Sequence, residues 1–200
     1  MTRSSQTSQR SAHASEATVV LRYFPLHAGY VWTYSERVMT VAQTLLLQRQ
    51  VTLTIQSRQQ NAYVAHWDFQ SGLTQLPNMR YRIVDDGIQQ AQLTDDTAYT
   101  PYVYLLKTPL VVGTVWHALQ GSTVRIAAVG VSCVVSAGTF TGCVETHQEV
   151  EPTPKSRVET RQRFAPDIGL VWQQRQLFQY DTLTRVDTLE LQKRPEPIRL

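Results

Sequence analysis

The sequence predicts an all-β protein: a large antiparallel curved sheet, or a partly open barrel, of about ten to twelve strands with little helix. Three observations predict it. Residues alternate with period two over long stretches, as in Leu45, Leu47, Val51, Leu53 and Ile55 on one parity against Gln48, Gln50, Thr52, Thr54 and Gln56 on the other. That pattern belongs to a strand with one dry face and one wet face. Turn formers recur at short spacing, the strongest being Asp85-Asp86-Gly87, because Asp-Gly accepts the positive φ of a tight hairpin. Capped stretches of helical period are nearly absent. The best candidate, Val38–Leu47, has no convincing cap and runs into the strand pattern. Without crossover helices a doubly wound α/β fold is excluded.

The elements follow in order. Residues 1–17 are rich in Ser, Gln, Thr and Arg and read as a polar tail, with no apolar stretch of the kind a signal peptide carries. If the chain is complete this predicts a cytoplasmic protein; if an upstream signal has been removed, it predicts an exported one. Three times the chain writes Gly-x-Val-Trp, at Gly29-Tyr30-Val31-Trp32, Gly113-Thr114-Val115-Trp116 and Gly169-Leu170-Val171-Trp172, each with a proline shortly before it (Pro25, Pro109, Pro166). A proline that cannot continue a ladder, a glycine free to take positive φ and an apolar alternating pair read as a turn feeding a strand. Leu45–Ile55 and Tyr63–Phe69 form a hairpin about a turn at Asn61. Met79–Val84 and Ile88–Leu93 form a second about Asp-Gly, and Tyr102–Leu106 is a short strand. Val124–Val135 and Phe140–Val150 make a third hairpin. Past the Pro152/Pro154 loop come Val158–Phe164, Ile168–Tyr180 and Leu183–Leu191, and Pro195 and Pro197 end the folded part. The result is one domain over 18–194, with a tail at 195–200. The frames are unevenly spaced, which excludes a solenoid or propeller.

Composition narrows the function. At 42% hydrophobic and 18% charged, with net charge +3, the chain can fill a core and is only mildly basic. Its densest basic cluster, Arg157, Arg161 and Arg163, is broken by Glu159 and lacks the aromatic interleaving of a nucleic-acid surface; it reads better as the rim of a protein-partner surface. No apolar run approaches the roughly 20 residues of a membrane-spanning helix.

Catalytic and metal chemistry is sparse. His13, His27, His66, His117 and His147 show no metal-ligand spacing. His27 and His117 flank two of the frames and converge only if those frames are neighbours. Glu145, His147 and Glu149 alternate along one strand and read as a solvated outer face. Asp85-Asp86 and Asp95-Asp96 read as turn formers. Phosphate-loop and nucleophile-elbow motifs are absent, so no cofactor is expected and no enzyme. Cys133 and Cys143 share the third hairpin. A three-residue loop, Ala137-Gly138-Thr139, sets them directly opposite each other and makes a disulfide feasible; a four-residue loop sets Ser132 opposite Cys143 instead. Trp32, Trp67, Trp116 and Trp172, with Tyr30 and Tyr102, are candidates either for core packing or for lining an apolar pocket.

Pro25-Leu26 through Trp32-Thr33-Tyr34, Ser136-Ala137-Gly138-Thr139-Phe140 with Cys143-Val144, and Phe164-Ala165-Pro166-Asp167-Ile168-Gly169-Leu170-Val171 together resemble uncharacterised bacterial β-rich proteins, many of them exported or lipid-anchored. The resemblance implies a large antiparallel sheet or partial barrel and carries no catalytic residues. The functional expectation is a non-enzymatic binding or assembly protein presenting a curved sheet to a protein partner. The alternatives are a carrier of an apolar small molecule or lipid and, last, a β-barrel enzyme.

Overall fold

A computed structural model describes residues 16–59, 62–69, 78–93, 99–118 and 122–197. Twelve strands follow one another: β1 (Tyr30–Thr40), β2 (Leu45–Gln59), β3 (Ala62–Phe69), β4 (Met79–Val84), β5 (Gly87–Gln92), β6 (Val103–Lys107), β7 (Val115–His117), β8 (Thr123–Val135), β9 (Gly138–Thr153), β10 (Ser156–Ala165), β11 (Gly169–Gln179) and β12 (Thr182–Pro197). They form a single antiparallel sheet in the order β6-β5-β4-β3-β2-β1-β12-β11-β10-β9-β8-β7, nearly closed into a barrel. β1 and β12 are joined by a full ladder, Tyr30↔Pro197 through Thr40↔Arg185. At the other joint, between β6 and β7, the Trp116 indole N–H donates to the Tyr104 carbonyl at 3.0 Å. A side chain thus stands in for ladder bonds where two sheet edges meet.

One element was not expected. Residues 16–23 form a helix, α1, where the sequence reads as a polar tail running into the domain. Val20, Phe24 and Leu26 are buried in the main core with Trp32, Leu53, Tyr81 and Phe164. Phe24 lies 5.0 Å from the Tyr81 ring and 6.4 Å from that of Trp32. Burying such side chains contributes about 1.5–3 kcal/mol each. The Arg22–Asp167 ion pair beside them, with side chains 61% and 68% exposed, is screened by water and adds little. Apolar contact holds α1 as a plug in one end of the barrel. Val38–Leu47, the helix candidate, is instead the tip of the β1–β2 hairpin: Gln43 takes φ 61°, and the Thr40 and Thr44 backbones close the turn. β12 also runs on to Pro197, beyond the expected end at 194. The Asn61 and Asp95-Asp96 turns lie outside the described residues.

All three frame glycines have positive φ: Gly29 at 83°, Gly113 at 91° and Gly169 at 102°. β1, β7 and β11 start at or just after them, as the frames predict. The tryptophans they deliver differ in placement. Trp32 and Trp116 are buried, whereas Trp172 faces outward. Arg163 pairs with Trp172 and Phe164 with Leu170, so Val171 is an extra residue. That bulge turns the following side chain over.

The cysteine hairpin departs from both expected registers. Its turn has two residues, Ser136-Ala137, with Val135↔Gly138 and Gly138 at φ 129°. Cys133 therefore stands opposite Phe140, and Cys143 opposite Val131. Irregularities around Gly130 and Gly142, both at positive φ, bend the hairpin over the outside of the sheet. Its tip reaches β12, where the Ala137 N–H donates to the Leu191 carbonyl at 3.0 Å. The Ser136 N–H and hydroxyl donate to Glu190 at 2.7 and 2.6 Å. Both thiols are free and buried in the layer between hairpin and sheet, where the Cys143 thiol donates to the Phe140 carbonyl at 3.8 Å. Burial is the main reason the Cys133 thiol is pushed up to about 12.

Strand lengths make the barrel lopsided. β2, β9 and β12 have 15, 16 and 16 residues, whereas β4, β5, β6 and β7 have 6, 6, 5 and 3. Past the short strands no wall faces the tall one among the described residues. The end opposite the plug is called the mouth.

Candidate functional site

Directly opposed residues on neighbouring strands share a face, so the registers define rows across the inner wall. Deep in the barrel the rows are dry: Trp32 stands opposite Leu53, Leu53 opposite Trp67, and Tyr34 opposite both Val51 and Leu191. The Trp32 indole N–H donates to the Ile168 carbonyl at 2.7 Å, and the Tyr34 hydroxyl to the Leu170 carbonyl at 3.0 Å. These bonds satisfy the polar ends of two rings that are otherwise fully buried. Burial also raises the Tyr34 and Tyr81 hydroxyl pKa values above the usual phenol range.

One row towards the mouth the lining turns polar. Thr146, Gln162, Gln173, Leu189, Glu36 and Arg49 lie side by side from β9 across to β2. The two glutamine amides pair at 2.8 Å, and Arg49 is in an ion pair with Glu36. The next row is Gln148, Thr160, Arg175, Asp187, Val38 and Leu47. Arg185, two residues before Asp187 on the same face, grips both its carboxylate oxygens at 2.6 and 2.8 Å. That hydrogen bonding raises the Arg185 pKa further.

Where the dry and polar rows meet, the wall encloses a cavity of about 230 Å³. Trp67, Val51 and Leu189 form its apolar side; Glu36, Gln173, Arg175 and Asp187 form its polar side. Trp67 is a rigid shelf. Its ring lies 5.8 Å from Tyr34, and the Tyr81 hydroxyl is hydrogen-bonded to its indole. The two carboxylates are neutralised by Arg49 and Arg185, whereas the exposed Arg175 has no ion pair or hydrogen bond among the described residues. Among the described residues that line the cavity, the charge left over is therefore one guanidinium, a donor-only fork suited to a planar anion.

Of the aromatic pocket candidates, the structure brings only Trp67 to this cavity. Trp32 belongs to the plugged core and Trp116 to the β6–β7 seam. Trp172 lies on the outer face under the Arg163 guanidinium, at 4.8 Å. Tyr30 packs between His27 and Trp32, with ring centroids at 5.0 and 6.1 Å, and Tyr102 sits beneath Arg82 at 4.0 Å. The arginine cluster does share one outer face. Arg157 is in ion pairs with Glu159 and Glu149 and stacks on Phe178, and Arg163 binds Glu145 at 2.7 Å. Arg161 is exposed, with His147 on one side and Gln174 on the other.

On that same face lies a shallow groove of about 520 Å³, lined in part by Arg125, His147 and Glu149. Arg125 sits 3.2 Å from His147 Nδ1, and arginine only donates, so Nδ1 accepts and Nε2 carries the hydrogen. Nε2 lies 3.7 Å from Glu159. Glu145, His147 and Glu149 thus belong to a cross-strand ladder of charges. Among the described residues no three potential ligands gather around a metal site. His27 and His117 are exposed on β1's lead-in and on β7, far apart in the sheet order.

The polar lining residues are hard to read from sequence because an inward polar side chain on a strand looks locally like an outward one. Their signal is nonetheless in the alternation. Trp32, Tyr34 and Glu36 share one parity, as do Leu191, Leu189 and Asp187, so each inward apolar run ends in an inward carboxylate.

No family model matches the chain, and no curated protein does. Solved structures do. A presumed exported protein with a YmcC-like fold from Bacteroides fragilis superposes with a TM-score of 0.51 at 14% identity, over 86% of this chain and 97% of that one. A presumed lipoprotein from Parabacteroides distasonis has a TM-score of 0.44 at 13% identity, over the same shares of the two chains. At such identities the likeness is one of fold: this chain shares its fold with a presumed exported protein of the YmcC-like type.

Proposed function

We propose that the protein is a non-enzymatic binding protein that holds a small amphipathic acid at the mouth of its barrel. The observation that carries this reading is one cavity lined on one side by Trp67 and on another by the unpaired Arg175. A few converging polar groups beside an apolar wall are the usual make-up of a small-molecule site. The lining is too polar for a wholly apolar guest. Its carboxylates are already neutralised, so it offers no repulsion to an anion. An apolar tail lies against Trp67, Val51 and Leu189, and an acidic head meets Arg175 and the Gln173 amide.

Decanoate and decanol share a tail and differ in the head, so the pair tests each half of the site. Titration followed by tryptophan fluorescence and calorimetry should find decanoate bound more tightly. Arg175→Gln should remove roughly tenfold or more of that preference, and Trp67→Ala should weaken both guests. Equal binding of the two by the wild type, or a preference unchanged in Arg175→Gln, sinks the reading. A protein partner on the outer face has less support, because Arg157 and Arg163 are already engaged by carboxylates, which leaves Arg161.

A further inference from the structure

The tip of the β1–β2 hairpin is apolar where a soluble hairpin is normally polar. Val41, Leu45, Leu46 and Leu47 are exposed by 52, 51, 58 and 37%, a consecutive run of a kind that normally marks an interaction surface. Met39 pairs with Leu45 and Val38 with Leu47, so Leu46 is an extra residue and Leu45 and Leu47 fall on opposite faces. Apolar side chains therefore leave the tip on both faces. β2 meets β3 only from Val51 onward, so among the described residues Leu45–Gln50 are laddered to β1 alone.

We propose that this tip docks on an anionic lipid bilayer, with its leucines among the acyl-chain ends of the headgroup layer and Arg37, with Lys155 beside the neighbouring tip, against the phosphates. A second strand covers one edge of a tip and a partner protein covers one face; a bilayer surrounds it. Charge points the same way. From Arg37 to Gln48, the residues of the tip, the chain carries Arg37 and no carboxylate. The Arg37 side chain, 47% exposed, is held on one side by Glu190 at 3.2 Å and is open on the other. The neighbouring β11–β12 tip adds Tyr180, 71% exposed, with the Lys155 ammonium 5.4 Å from its ring. Tyrosine and lysine side by side favour the membrane–water boundary. The row that lines the cavity, Arg175 and Asp187, continues through Val38 into Leu47. A bilayer at the tip would therefore face the mouth of the barrel. A few leucines give reversible binding that anionic lipid strengthens.

The full chain is sedimented with vesicles of equal parts phosphatidylglycerol and phosphatidylcholine, and with phosphatidylcholine alone. The wild type should bind the mixed vesicles more strongly, and less so as salt is raised. The triple change Leu45→Gln, Leu46→Gln, Leu47→Gln should cut the bound fraction by roughly tenfold or more. Arg37→Gln should weaken binding to the mixed vesicles only. The urea midpoint of the triple variant shows whether it is folded; should it be lost, the smaller pair Val41→Gln, Leu46→Gln is read instead. A wild type that stays in solution with both vesicles overturns the proposal, as does a folded variant that sediments like the wild type. A concentration-dependent dimer abolished by the triple change, with no vesicle binding, assigns the tip to a second copy of the chain.

Discussion

Gly169 answers to two constraints at once. Its φ of 102° is one that L side chains rarely adopt, and a Cβ there would stand 3.3 Å from the Trp32 indole nitrogen. Gly113 has a comparable φ of 91° with open space around it. Backbone strain of this kind costs about 1–3 kcal/mol, and crowding a buried ring adds to it. Gly113→Val should therefore lower the urea-unfolding free energy within that range. Gly169→Val should lower it further, because the indole that must move also donates to the Ile168 carbonyl. Equal losses would remove the steric part of this account. The glycine requirement was legible in the three frames, since a proline followed by glycine and an apolar pair announces a turn into a strand. The outward turn of Trp172 was not, because a bulge at Val171 arises from register with β10 and leaves no mark in the local pattern.

At the scale of elements, one carboxylate adds to the Ala137–Leu191 backbone bond and the buried side chains that hold the β8–β9 hairpin over the sheet. Glu190 accepts from the Ser136 N–H and hydroxyl and from Arg37. Burial alone would raise its pKa, but the Ser136 donors and Arg37 outweigh burial and hold it below the usual value. Hydrogen bonds to a charged group contribute about 1.5–3 kcal/mol, and partial exposure places this set near the lower end. Glu190→Gln should lower Tm by roughly 3–6 °C at neutral pH. The sign with pH follows from the depressed pKa. The stabilisation is present above the unfolded-state value of about 4.5 and is lost as pH falls through the lower folded-state value. Melting curves of wild type and variant should therefore converge in acid; a constant gap from neutral to acid would place the effect elsewhere. The existence of this hairpin was plain from its alternation. Its two-residue turn was not, because Ser136-Ala137-Gly138-Thr139 fits several loop lengths, and the choice among them is made by contact with β12. α1 was missed for a related reason: eight residues are too few to show helical periodicity, and tertiary packing in the plugged end supplies what propensity does not.

For the whole molecule, burial of ionisable groups sets a stability limit on the alkaline side. Tyr34 and Tyr81 lie in the dry layer with raised pKa values, and the Cys133 thiol is raised from 9.0 to about 12. Each keeps its proton in the folded state where the unfolded chain has given it up. Their stabilisation is thus complete below about pH 9 and declines as pH rises towards the folded values. The urea midpoint should fall steadily above pH 9, with Cys133 alone contributing about 1.4 kcal/mol per pH unit. Tyr81→Phe should flatten the decline. A midpoint that stays level to pH 11 would mean these groups titrate normally. The barrel itself was legible in the strand count and alternation, and so was the aromatic interior. The cavity was not, because it exists only where unequal strand lengths leave one wall unopposed, a property of no single segment.

The seam between β6 and β7 carries one more consequence. Stepping six strands around the ring takes the β12–β1 joint onto the β6–β7 joint with strand directions preserved. The same octet, Pro-Leu-x-x-Gly-x-Val-Trp, stands at the head of each set of six, before β1 and before β7. Each joint therefore meets the chain at the same frame. One of the two joints is closed along its length by the β1–β12 ladder. At the other, the Trp116 indole bonds to the Tyr104 carbonyl and Tyr104 and Leu110 pack against the same cluster, so among the described residues side chains rather than a ladder hold the β6–β7 seam.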